Sequence, residues 1–211
     1  MVGLIAGALG ALVSGAVAVS KALAVVGMAI QGLKVIGNAI VSIAKALGII
    51  KPERDIQDIG DRALQAEEKG MTPDKYPTYE AWMKAIEEDD WGYDPEKNKD
   101  LDPEKKILKG IEVTAAVTME KFPDLPIQDF FTIAANKPEF FTEERMNEIG
   151  SLAKNDPDSF GKIVNYVTGS IDRSSLKDAS TALIDIEKII TPGISDDAAY
   201  DKVASFYNSK K

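Results

Sequence analysis

The sequence contains no histidine and no cysteine. That excludes imidazole and thiolate catalysis, zinc or iron sites built from those ligands, disulfides and thiol switching. Acidic residues are missing from the first 51 positions, and charge of either sign from the first 20. Proline is missing from residues 1–51 as well. Gly-x-Gly-x-x-Gly, Walker, nucleophile-elbow and His-Glu-x-x-His patterns do not occur. Ser151, Ser174 and Ser175 have no histidine to activate them. The expectation is a non-enzymatic protein with no cofactor and no small-molecule substrate.

What is present divides in two. The 211 residues suffice for one ordinary domain and an appendage. Hydrophobic residues make up 45% and charged residues 28%, a globular mix. Against 34 acidic residues stand 25 basic ones, a net charge of -9, which is the wrong sign for neutralising nucleic-acid phosphates. Residues 1–51 hold Lys21, Lys34, Lys45 and Lys51 and nothing acidic, so the rest of the chain carries -13. A charge step of this size suggests different surroundings for the two parts. The sequence therefore divides into an apolar cationic segment 1–51, an acidic turn-rich connector 52–101, and a helical domain 102–211.

Residues 1–20 are long enough to span a bilayer, though rich in glycine and alanine rather than leucine. A cleaved signal peptide is not expected, because a basic start is missing and the apolar character runs on to Ile50. Small residues recur four apart at Gly3, Gly7, Ala11 and Gly15, one ridge of a helix that lets another backbone come close. Over these residues the pattern resembles the glycine zippers of membrane channels and pore-forming proteins. In residues 20–46, Ser20, Gln31, Lys34, Asn38, Ser42 and Lys45 gather in an arc of about 80° at 100° per residue. Such a helix, apolar except for one narrow polar seam, must be covered nearly all round. Lipid, sister subunits or an enclosing partner are the candidates for that cover. Residues 1–51 form either one long helix or a hairpin bent near Ser20-Lys21.

The acidic part reads as helices. Thr78, Asp102-Pro103, Pro126, Thr142, Asp156-Pro157 and Ser195 mark starts, while Gly70, Gly169 and Pro192-Gly193 mark stops. Leu108, Ile111, Ala115, Met119 and Phe122 share one face of the helix opened at Pro103. No window alternates at period two. The fold class expected is all-α: a long apolar N-terminal helix or hairpin, then a bundle of short helices, five or six of them from Pro103 onward. Residues 52–211 are expected to fold alone. Oxygen side chains alternate from Asp94 as in a calcium loop, but Lys99 and Lys105 stand where glycine and the closing glutamate belong, so no metal is expected. Trp82, Trp91, Tyr76, Tyr79 and Tyr93 crowd into residues 76–93, as a pin for this proline-rich stretch or as a binding surface.

By build, the chain is analogous to membrane-penetrating or lumen-filling parts of phage tails and bacterial injection machines. The leading expectation is a structural component of a multi-subunit particle or membrane-associated complex. Its partners would be its own copies, other subunits or a lipid bilayer, met through residues 1–50. The alternatives are a pore-forming, bacteriocin-like protein and a soluble homo-oligomeric adaptor with the N-terminal helix as central bundle.

Overall fold

The computed structural model describes residues 30–88 and 90–208. Gly3, Gly7, Ala11, Gly15 and Ser20, and with them the full-length N-terminal helix, lie outside the described residues. Within them the chain is all-helical: α1 (Ile30–Ala46), α2 (Ile56–Glu68), a 3₁₀ turn (Pro73–Lys75), α3 (Tyr79–Glu87), α4 (Pro103–Lys121), α5 (Ile127–Asn136), α6 (Glu143–Asn155), α7 (Pro157–Thr168), α8 (Leu176–Ile190) and α9 (Asp196–Asn208). No helix among them is long and apolar enough to cross a membrane.

Local chemistry sets most starts. The Thr78 hydroxyl accepts from the Ala81 amide, the Thr142 hydroxyl from Arg145, and the Asp102 and Asp156 carboxylates from Glu104 and Ser159. Proline follows both aspartates, where a missing amide costs nothing. Gly70 and Gly169 take the left-handed backbone that ends α2 and α7, at φ of 74° and 79°.

The cover for α1 is the rest of the same chain. Leu33, Ile36, Ile40, Val41 and Ile43 are buried against α6, α4 and α2, and Ile49 and Ile50 continue the same core beyond the helix. The charge step at Lys51 is therefore not a packing boundary. The expectation that lipid or another subunit covers this helix is corrected for its described side chains: from Leu33 to Ile50 the apolar ones are buried within this domain, Ala46 and Leu47 only partly. Burial of each such side chain stabilises by about 1.5–3 kcal/mol. Their sum rivals the whole net stability of an ordinary domain, about 5–15 kcal/mol. Residues 52–211 consequently lack the centre of their own core. The face expected for α4 is also too narrow. Val113 through Thr118 are all buried, while Leu108 and Met119 are only partly so, because α4 lies between α1 and α2 rather than on a surface.

Helices α2 and α4 cross with their backbones in contact. A Cβ on Gly60 would lie 1.8 Å from the Lys106 carbonyl oxygen, and one on Gly110 would lie 2.1 Å from that of Ile56. Neither position has room for a methyl group. Gly161, by contrast, meets nothing nearer than Leu125 at 3.5 Å.

Two outcomes follow. Gly60→Ala and Gly110→Ala should each destabilise by about 3 kcal/mol, since the strain of prising two backbones apart exceeds the helix propensity gained, about 1 kcal/mol. Gly161→Ala should be neutral or stabilising, with thermal melts by circular dichroism comparing the three. A chain beginning at Ile30 should keep a cooperative melt, and one beginning at Pro52 should lose it.

Candidate functional site

The polar seam of α1 is used inside the fold where its side chains are described. Lys34 pairs with Asp55 at 3.1 Å. The Asn38 side-chain oxygen accepts the Ile56 amide at 3.1 Å, and the Ser42 hydroxyl donates to the Asn38 carbonyl at 2.9 Å. Asp55 in turn accepts from the Gln57 and Asp58 amides, both at 2.9 Å. Burial pushes the Asp55 carboxyl up, but those amides and Lys34 outweigh it and hold it below its ordinary value. The seam thus seats the first turn of α2. Lys45 is half-buried, Ser20 lies outside the described residues, and so does the side chain of Gln31.

The acidic connector is fastened onto α2. The Gln65 side chain donates to the Asp94 carbonyl at 2.7 Å and accepts the Asp94 amide at 3.1 Å, using both backbone groups of that residue. The Tyr93 hydroxyl donates to Asp61 at 2.9 Å, Asn98 donates to Asp61 at 2.7 Å, and the Arg62 guanidinium lies 4.1 Å from the centre of the Tyr93 ring. Burial, then the Asp61 carboxylate, keep the Tyr93 phenol protonated far above its ordinary range. Tyr79 and Trp82 are buried edge to face at 5.0 Å, and Trp91 donates to the Ile86 carbonyl. Most of the aromatic cluster therefore pins the stretch to the core. Asp94, Asn98 and Asp102 direct their oxygens or amides to Glu96, Asp61 and Glu104. Among the described residues no group of three or more carboxylates is placed to hold a metal.

A cleft lies between the turn before α6 and helices α8 and α9. It measures about 780 Å³ and is lined by Phe140, Arg145, Glu187, Thr191, Lys202 and Phe206 among others. Its floor is a charged triad. The fully buried Glu187 carboxylate accepts from Arg145 on one oxygen, and from Lys202 and the Thr191 hydroxyl on the other, the last at 3.1 Å. Arg145, 4% exposed, also donates to the Phe140 carbonyl and stacks 4.0 Å from the centre of that ring. Its Nε–H has no hydrogen-bond partner. Burial pushes the Glu187 carboxyl up, but Lys202, Arg145 and Thr191 hold it below its ordinary value. Burial likewise lowers the Arg145 pKa, against the opposing pull of Glu187. This arrangement holds a buried carboxylate between two cations and a hydroxyl.

Neither residue of this pair stood out in the sequence, though a signal was there. Arg145 precedes Ile149 by four positions, and Glu187 follows Leu183 by four, so each sits on the inward face of its helix. Opposite charges on two inward faces are an expected pair, since a buried charge needs a partner.

Glu187→Gln should destabilise at neutral pH by about 3–5 kcal/mol, because Arg145 is left buried without its counter-charge. The carboxyl's folded pKa is depressed, so its contribution is present above the unfolded value near 4.3 and is lost as pH falls through the folded value. Urea unfolding at pH 7 and pH 3 should show the gap between wild type and variant narrowing in acid.

No family model, curated protein or solved structure matches the chain, so the fold and the cleft carry the functional reading by themselves.

Proposed function

We propose that the protein is a non-enzymatic component of a multi-subunit assembly, of the kind found in phage tails and bacterial injection or secretion machines, and that residues 1–29 are the part buried among other subunits or in a bilayer. The observation that supports this is the placement of α1. The apolar segment leads, without proline, into the helix at the centre of the domain core rather than into a peripheral one. A force on residues 1–29 is therefore borne by Leu33, Ile36, Ile40 and Ile43 packed against α4 and α6, which suits an anchoring element. The absence of histidine and cysteine supports a role without chemistry.

Burial of the described apolar side chains from Leu33 to Ile50 narrows each alternative. A pore-forming or bacteriocin-like activity would have only residues 1–29 to offer a bilayer. A soluble homo-oligomer would have to build its central bundle from that same stretch, along Gly3, Gly7, Ala11 and Gly15.

The test compares full-length protein with Gly7→Leu, Val13→Leu and a deletion of residues 1–29. Overpacking a close helix contact costs about 1–3 kcal/mol, repeated in each subunit of a symmetric assembly. Gly7→Leu and the deletion should lower the native mass or abolish membrane flotation, while Val13→Leu, off the ridge, should leave both unchanged. Equal assembly of all four proteins overturns the proposal. Dye release from anionic liposomes by the full-length protein alone would favour the pore-forming alternative.

A further inference from the structure

Two glutamates are buried near the ends of helices, and their surroundings differ. Glu187 in α8 has both carboxylate oxygens engaged, one by Arg145 and the other by Lys202 and Thr191. Glu87, the last residue of α3, is also buried. Its Oε2 accepts from the Arg54 Nε at 3.2 Å, while its Oε1, equally shielded from solvent, has no hydrogen-bond partner. A buried carboxylate oxygen without a donor is costly to keep charged.

The groups around Glu87 do little to offset that cost. Arg54 is shared, since its Nη1 also pairs with the Asp58 carboxylate at 3.1 Å. Arg62 turns its Nη1 to the Ile86 and Glu88 carbonyls, at 3.2 and 3.4 Å, and its Nε lies 3.5 Å from Asp58. Lys51 donates to the main-chain carbonyl of Glu87 at 2.9 Å. The last carbonyls of a helix concentrate partial negative charge, so Glu87 stands where an anion is least favoured. From α4, the charged groups that reach α3 are Glu120 and Lys121, and they meet its opposite end at Tyr79 and Glu80. Asp89 lies outside the described residues. Burial pushes the Glu87 carboxyl above its ordinary value and Asp58 adds to the rise, while Arg54 and Arg62 pull against it without cancelling it.

We propose that Glu87 is a proton-binding site at the root of the acidic connector, and that proton uptake there in mildly acidic medium tightens the joint between α3, residues 51–54 and α2. With the proton on Oε1, Oε2 still accepts from Arg54, and the charge beside the last carbonyls of α3 is gone. A neutral carboxyl leaves one polar atom unpaired at a fraction of the cost of a buried charge. The contacts that tighten are those made to the carbonyls of residues 86–88 by Lys51, Arg62 and Trp91. Glu87 is opposite in sign to Glu187. Its folded pKa is raised, so its contribution to stability is fully present below the unfolded value near 4.3 and is lost as pH rises through the folded value. The site is independent of how residues 1–29 are used.

Carbon-13 NMR of the full-length chain, labelled at side-chain carboxyls, should show Glu87 titrating above the ordinary glutamate value of about 4.3 and Glu187 below it. A Glu87 midpoint at or below that value overturns the proposal. Thermal melts give a second reading. At pH 7.5, Glu87→Gln should melt higher than wild type by roughly 2–4 °C, whereas Glu187→Gln should melt lower. The advantage of Glu87→Gln should vanish as pH falls to about 4.5, because wild type then carries the same neutral group. A Glu87→Gln protein that melts below wild type at pH 7.5, or an advantage unchanged in acid, overturns proton uptake at this site. The joint itself is reported by the Trp91 indole proton, which is bonded to the Ile86 carbonyl at 3.1 Å. Corrected for its intrinsic rate, that proton should exchange about threefold or more slowly at pH 5 than at pH 7.5 in wild type, and equally at both in Glu87→Gln. Equal protection at both pH values in wild type overturns the tightening.

Discussion

Everything in the inner half of the molecule depends on the approach of α2 to α4. Two glycines, Gly60 and Gly110, let carbonyl oxygens of each helix occupy the space where the other's Cβ would be. Helices packed through side chains lie about 8–10 Å apart, and backbone contact brings them closer. That closeness carries Ile56 into the floor between α1 and α4, where a Cβ on Gly37 would strike its side chain at 2.7 Å. With Ile56 in place, Asp55 meets Lys34, and Asn38 receives the Ile56 amide. The polar seam of α1 and the start of α2 are thereby one joint. Widening the α2–α4 crossing would open it along with the core.

The same placement of α2 organises the acidic connector. Asp61, Arg62 and Gln65 lie on α2 yet are buried, because residues 90–98 fold over them. The carbonyls at the end of α3, Ile86 to Glu88, receive Arg62, Trp91 and Lys51. Farther along, Glu120 of α4 accepts the Tyr79 and Glu80 amides at the start of α3, at 2.8 and 2.9 Å. A stretch whose composition suggests a solvated linker is instead tied down at both ends. Its negative charge is displayed on a fixed scaffold.

What the sequence made legible was local. Caps at Thr78, Asp102, Thr142 and Asp156 act within three residues, so each can be recognised from neighbours alone. The all-helical class follows from those caps together with period 3.6. The cover of α1 was not legible, because its partners on α4 and α6 stand between 57 and 125 positions away. Nothing in a helix that is apolar nearly all round says whether lipid or its own chain surrounds it. Charge composition misled for the same reason: a boundary in charge at Lys51 falls inside a continuous core running through Ile49, Ile50 and Ile56. The glycines of α2 and α4 gave no hint either, since a close approach is a property of two segments. The Arg145–Glu187 pair was legible in principle, as two charges each on an inward face.

The order of elements along the chain has a consequence during synthesis. The central helix is made well before its main enclosing partners: α6 ends at Asn155, well over a hundred residues after Leu33. At about 5–20 residues per second, α1 waits on the order of ten seconds before α4 and α6 can close over it. During that interval Leu33, Ile36, Ile40 and Ile43 have none of their folded-state cover from α4 and α6. The nascent chain therefore exposes, for seconds, apolar side chains that the finished domain buries.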